Sequence, residues 1–205
     1  MPVISLEARA KMEKHLEEAR IQWENSPNNK EALIWYGRRL AYLGLYREAV
    51  DVFSKGTLLW PGDARFLRHR GHRYITLRCN REAIADLEKA NSLMKNKPDE
   101  IEPDGLPNAA NIPLSTLKSN ITYHLGLAYF LEGDLELAEH FWKEGMAFST
   151  NPDMFVATTY WLYITLRLAG KEEKARELLN QVSPDLQLIE NIDYYNILLL
   201  YKGKH

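Results

Sequence analysis

The chain has 205 residues, 45% of them hydrophobic and 26% charged, enough to bury a core as one globular domain or a short array of repeats. A formal net charge of -2 and a pI near 6.3 argue against a dedicated nucleic-acid binder, whose domain is normally strongly basic. One cysteine, Cys79, excludes an intramolecular disulfide and leaves the compartment open, and no apolar run approaches the roughly 20 residues of a membrane span.

The opening stretch, MPVISLEARAK, lacks the basic and then apolar blocks of a signal peptide, so the chain reads as water-soluble. Residues 5–26 read as a leading helix, with Ser5 as N-cap and Leu6, Met12, Leu16, Ala19 and Trp23 as its apolar stripe. After it comes a period. IWYGRRLAYLGLYREAVDVFSKGTLLWP aligns with RHRGHRYITLRCNREAIADLEKANSLM so that Gly37 matches Gly71 and Ala49 matches Ala83, each pair 34 residues apart. TYHLGLAYFLEGDLELAEHFWKEGM repeats the pattern with Gly126, Tyr129, Gly133 and Ala138, and YWLYITLRLAGKEEKARELLNQV repeats it more loosely with Leu166, Gly170 and Ala175. The spacing is that of a helical hairpin. Small residues belong where two antiparallel helices cross most closely, glycine where the first helix stops, and proline (Pro61, Pro98, Pro152, Pro184) where the second has ended. Hairpins of this kind hide their apolar faces by stacking into a solenoid.

The repeats are read at about 30–63, 64–97, 119–152 and 156–184. NIDYYNILLLYKG, 191–203, matches the first half of another repeat and reads as a C-terminal capping helix. The second repeat departs from the pattern, because Arg70 takes a position that is normally a buried leucine. It should snorkel outward or pair with Asp63, Glu82 or Asp86. Residues 98–116 interrupt the period with four carboxylates, Asp99, Glu100, Glu102 and Asp104, four prolines, and an apolar tail of Leu106, Ile112 and Leu114. A loop this long in a compact domain is usually functional or disordered.

These motifs resemble the tetratricopeptide repeat, in which a bulky residue, Leu, Gly or Ala, Tyr, Ala, Phe, Ala and Pro recur within 34 residues. The first repeat offers Leu33, Tyr36, Gly37, Leu40, Ala49, Phe53, Gly56 and Pro61, and most of the chain follows suit. HRGHRYI, EPDGLPNAANIP and YHLGLAYFLEGD together are also similar to a group of bacterial repeat proteins. The resemblance implies an all-α, right-handed superhelical solenoid of antiparallel hairpins, forming a single domain over 1–205. It also implies a concave groove lined by fixed positions of each first helix. Those positions hold Arg38 and Tyr42; Arg65, Arg68 and His72, with His69 at the margin; and Asn120, Tyr123, Leu127 and Phe130, with His124 at the margin. The last repeat contributes Tyr160, Ile164 and Arg167, with Trp161 beside them. The groove is therefore expected to be basic toward the N-terminal half and aromatic toward the C-terminal half.

The implied function is a non-enzymatic scaffold for an extended, partly acidic protein or peptide segment, without cofactor, metal, nucleic acid or membrane insertion. The acidic insert is a candidate gate, its carboxylates on Arg65 or Arg68 and Leu106 or Ile112 on the aromatic half. Relatives that grip a C-terminal carboxylate carry Lys, Asn, Asn, Lys and Arg where this chain has Ile34, Arg38, His69, Asn120 and His124, so that mode is not implied. Two alternatives remain: a metal protein or enzyme centred on His69, His72 and His124, and a structural subunit that self-associates. The histidines lack an HExxH pattern or a partner cysteine, and His69 beside arginine favours a neutral, hydrogen-bonding role.

Overall fold

The computed structural model describes residues 5–203, so the first four residues of MPVISLEARAK and the two ends of the 1–205 domain reading lie outside it. Ten α-helices make up the fold of the described residues, which contain no β-sheet. They divide between Asn96 and Lys97 into two compact units.

The first unit holds α1 (Leu6–Asn25), α2 (Lys30–Tyr42), α3 (Tyr46–Leu59), α4 (Ala64–Thr76) and α5 (Asn80–Met94), each packed on the next. Ser5 caps α1 as expected, its hydroxyl accepting from the Ala8 amide, but only Ala19 and Trp23 of the predicted stripe are buried while Leu6 is 88% exposed. Only the C-terminal part of α1 lies on the hairpin below. Asn29 and Asp63 cap α2 and α4, satisfying first-turn amides that have no partner within the helix. The core runs from Trp23 through Leu33, Ile34 and Leu40 to Phe53 and Phe66. A Cβ at Gly37 would stand 2.5 Å from the Phe53 ring, so glycine is what lets α2 and α3 approach across that ring.

The second unit holds α6 (Leu117–Glu132), α7 (Leu135–Ala147), α8 (Pro152–Leu168), α9 (Glu172–Asn180) and α10 (Ile192–Tyr201). Here α6 pairs with α7, α7 with α8, and α8 with both α9 and α10. Gly126 repeats the role of Gly37, its absent Cβ falling 2.6 Å from the Trp142 ring. The α8–α10 contact is secured by Asp153, 1% exposed, whose carboxylate accepts hydrogen bonds from the backbone amides of Ile189, Glu190 and Asn191.

Three of the four turns between the helices of a hairpin place glycine in the left-handed region: Gly44, Gly133 and Gly170, with φ from 71° to 84°. The second repeat has Arg78 there instead, at φ 62°. Arg70 resolves as one of its two expectations: Nε and Nη2 donate to the Asp86 carboxylate at 2.6 and 2.7 Å, and Nη1 to Ser54 and Thr57.

The insert is fastened within the second unit. Ile101 and Thr116 form an antiparallel bridge, the Glu102 amide donates to the Ser115 carbonyl, and the Leu117 amide to the Glu100 carbonyl. Asp99 accepts from the Lys118 amide at 3.0 Å, placing a carboxylate at the start of α6 where the helix dipole favours it.

Candidate functional site

In the first unit α2, α3 and α4 enclose a pocket of about 140 Å³. From α2 come Arg38, Ala41 and Tyr42, from α3 the ring of Phe53, and from α4 Arg68, His69, His72 and Arg73. Helical spacing explains the convergence: 38 and 42, 68 and 72, and 69 and 73 are i, i+4 pairs, each projecting from one face. Four of the residues expected from the sequence, Arg38, Tyr42, Arg68 and His72, are thereby brought together.

Inside the pocket the groups position one another. Arg38 donates through Nε and Nη2 to the Tyr42 hydroxyl at 3.2 and 3.1 Å, while its guanidinium lies 4.3 Å from the centroid of the Trp35 ring. Arg68 is buried, and its Nη1 lies 2.8 Å from His69 Nδ1. A guanidinium can only donate, so Nδ1 accepts and the His69 ring proton sits on Nε2. His69 also stacks on Phe53, ring centroids 5.2 Å apart. Burial first, then the charges of Arg68, Arg38, Arg73 and Arg65, hold the imidazole well below its ordinary pKa of 6.5, so it is neutral. That matches the neutral reading of His69.

Arg73 is the residue that sequence reasoning missed. Burial, followed by the charge of Arg68, pushes its guanidinium down to about 10, and it lies over the Tyr46 ring at 5.5 Å. Its place on the face of His69, four residues earlier, was the available signal. Arg65, by contrast, does not line the pocket. Its Nε and Nη2 donate to Asp63 at 2.9 and 2.6 Å and its Nη1 to Glu31, so two carboxylates already neutralise it. Burial opposes ionisation of Asp63, but Arg65 together with Lys30 outweighs it and holds the carboxyl at about 2.

The second unit gathers aromatic rings. Trp161 Nε1 donates to the Tyr123 hydroxyl at 2.9 Å, and Trp161 meets Phe130 edge-on at 5.4 Å and Trp142 face-on at 6.1 Å. Tyr160 touches Tyr194 of α10 at 5.0 Å, a contact that the repeat positions did not predict. Burial, then the hydrogen bond with Tyr194, pushes the Tyr123 phenol far up, so it stays protonated. Leu127 is half-buried on the same helix. Asn120 is differently engaged: its amide donates to Glu102 at 2.6 Å and to Ser115 at 2.9 Å, holding the insert. His124 Nδ1 donates to the Asn120 carbonyl at 2.6 Å. Leu106 and Ile112 are 56% and 49% exposed, and the anchors at 99–102 and 115–118 fasten the insert to the N-terminus of α6.

Among the described residues no three His, Cys, Asp or Glu side chains gather closely enough to hold a metal ion, so the histidine-centred alternative gains no support. Nor is any described helix long and apolar enough to cross a membrane.

No family model and no curated protein matches the chain. Solved structures do. MamA of Desulfovibrio magneticus RS-1 is similar at 20% identity and TM-score 0.64, covering 85% of each chain. TTC0263, described as a thermophilic TPR protein of Thermus thermophilus, is similar at 18% identity and TM-score 0.64, over 95% of this chain and 94% of its own. YrrB, described as a TPR protein with an unusual peptide-binding site, is similar at 15% identity and TM-score 0.62, over 93% of this chain and 86% of its own. With ten helices in the predicted hairpin order among the described residues, the chain has the fold of the tetratricopeptide-repeat solenoids.

Proposed function

We propose that the protein is a non-enzymatic interaction scaffold that binds an extended segment of a partner protein. The acidic side chains of that segment enter the pocket of Arg38, Tyr42, Arg68 and His72, and its apolar side chains meet Tyr123, Leu127, Phe130 and Tyr160. The observation that carries this reading is the pocket itself, which gathers three guanidiniums on two neighbouring first helices. Arginine forks suit carboxylates through paired N–H donors. The fold supports the same class, and the peptide-binding site named for YrrB shows that this architecture is used so in that protein. Asn120 and Arg65 serve from the side, one holding the insert and the other the start of α4. In this reading the acidic insert competes with the partner for the basic site.

Fluorescence anisotropy with a labelled peptide carrying three glutamates followed by leucine and isoleucine tests it. Binding is expected in the micromolar range, about -8 kcal/mol, and Arg38→Glu should weaken it by about 2 kcal/mol, since attraction becomes repulsion. Arg38 is preferable to Arg68 for this purpose, because Arg68 is buried against His69 and its reversal would disturb the fold. Replacing residues 103–113 by a Gly-Ser linker, with both anchors kept, should tighten binding several-fold. Equal binding of a peptide with lysines in place of the glutamates would sink the proposal.

A further inference from the structure

We infer that the outward face of α10 is a homodimer interface, on which the α10 of a second copy of this chain packs antiparallel about a two-fold axis at Asn196. The inference goes beyond the segment-binding reading and does not depend on it.

An uncovered face is the first argument. Gly203 is left-handed at φ 73°, like Gly44, Gly133 and Gly170, so α10 ends as the first helix of a hairpin ends. Counting back from that glycine aligns α10 with α2: Ile192 and Asn196 stand 11 and 7 residues before Gly203, as Leu33 and Gly37 stand before Gly44. In the first hairpin both positions are buried, with Gly37 against Phe53 of α3. On α10, which packs on α8, Tyr195 and Leu198 are buried. Ile192 and Leu200 are 50% and 49% exposed, and Asn196 between them is exposed too. Spaced four apart, these three form one row along the helix, away from the buried pair.

Self-complementarity says what covers that row. An apolar residue lies four positions either side of Asn196, about 6 Å each way along the helix. Two copies laid antiparallel with Asn196 on the axis therefore set each Ile192 against Leu200 of the other copy, an isologous contact. The two Asn196 amides then meet, each donating to the other's side-chain oxygen. A foreign apolar helix would bury that amide without a partner, so the asparagine selects its own copy and this register.

Charge fixes the direction. Glu190 and Asp193 lie at the start of α10 and Lys202 just past its last turn. Antiparallel pairing brings the acidic start of each helix to the basic end of the other, whereas parallel pairing would set like charges side by side. Lys202 donates to the Val182 and Asn180 carbonyls at 2.6 and 3.5 Å, which leaves one of the three donors of its ammonium for a carboxylate. A helix of 10 residues is about 15 Å long, so the contact is smaller than a standard interface of about 1,600 Å² and holds weakly, with a dissociation constant on the order of 100 micromolar.

The test is sedimentation equilibrium of the full chain from about 10 to about 500 micromolar, a range that brackets such a weak interface. The mass should rise from 23.8 kDa toward twice that value and no further. Ile192→Glu and Leu200→Lys, each checked for an unchanged helical melt, should each weaken association about ten-fold or more, because a charge then faces an apolar side chain. An equimolar mixture of the two variants should regain most of the loss, since the antiparallel register sets the new acid of one copy against the new base of the other. A mass that stays at 23.8 kDa throughout overturns the inference. Growth past two copies overturns it as well, because an open stack uses two different faces. It also fails if the single variants associate like the unaltered chain, or if their mixture associates no more tightly than either alone. Peptide binding, measured at a concentration where the chain is monomeric, judges the segment-binding reading separately.

Discussion

The two units use one repeat frame for opposite chemistry. In both, a glycine of the first helix faces a large side chain of the second: Gly37 meets Phe53, Gly71 meets Leu87 and Gly126 meets Trp142. On the neighbouring face the first unit sets arginines and histidines, whereas the second sets tyrosines and tryptophan. Polar groups in the second unit largely satisfy one another, as Tyr123 with Trp161, Asn120 with Glu102, and Trp142 with Thr165 show. The first unit gathers Arg38, Arg68 and Arg73 around one pocket. A repeat thus separates the residues that define the hairpin from those that are open to carry a binding function.

The comparison breaks most sharply at its shared feature. Trp142→Ala should destabilise the second unit by about 4 kcal/mol, and Leu87→Ala the first by about 3 kcal/mol, because the larger side chain leaves the larger cavity. Urea melts followed by helical circular dichroism check the order; negligible losses in both variants would show that the side chain facing the glycine is not the common support.

A smaller effect tests how the first unit handles charge away from the pocket. Asp86→Ala strands the Arg70 guanidinium, whose side chain is only 18% exposed, and should cost about 2 kcal/mol. The double change Arg70→Leu with Asp86→Leu, restoring the apolar residue usual at the first position, should recover most of that loss. No recovery in a thermal melt would make the pair more than a replaceable contact.

The buried imidazole gives a pH signature. His69 is held neutral in the folded state while the unfolded chain titrates near 6.5, so its contribution is unaffected above 6.5 and lost as pH falls below it. The slope is about 1.4 kcal/mol per pH unit until the depressed folded pKa is reached. His69→Gln, which keeps an acceptor for Arg68, should flatten the dependence between pH 6.5 and 5; Asp63, held at about 2, adds its own loss only below its ordinary value of 3.8. An unchanged slope would place the titration elsewhere. Smallest is Arg78→Gly, which relieves a left-handed backbone at φ 62° and should stabilise by about 1 kcal/mol, read as a shift in melting temperature.

Much of the fold was legible because a repeat states its own geometry. The 34-residue spacing, the glycines at crossings and turns, and the prolines after second helices marked the hairpins, and Arg70 could be recognised as an intruder that needed a carboxylate. These are local requirements, met by φ, by volume and by periodicity, and the chain carries them position by position. Asp86 rather than Asp63 or Glu82 as its partner was decided by how α4 lies on α5.

The site divides in the same way. Arg38, Tyr42, Arg68 and His72 followed from positions in the repeat, whereas Arg73 joined them only because α4 turns that face toward α2. Arg65 left the set because Asp63 and Glu31 stand within its reach, and Asn120 turned inward because the insert folds back as a bridge at the start of α6. The amino-acid sequence by itself determined which faces exist and what chemistry they carry, since helix period and residue type are local. Tertiary structure alone decided which cation meets which carboxylate and which side chains share a pocket, because electrostatic pairing depends on distances between helices that no local pattern encodes.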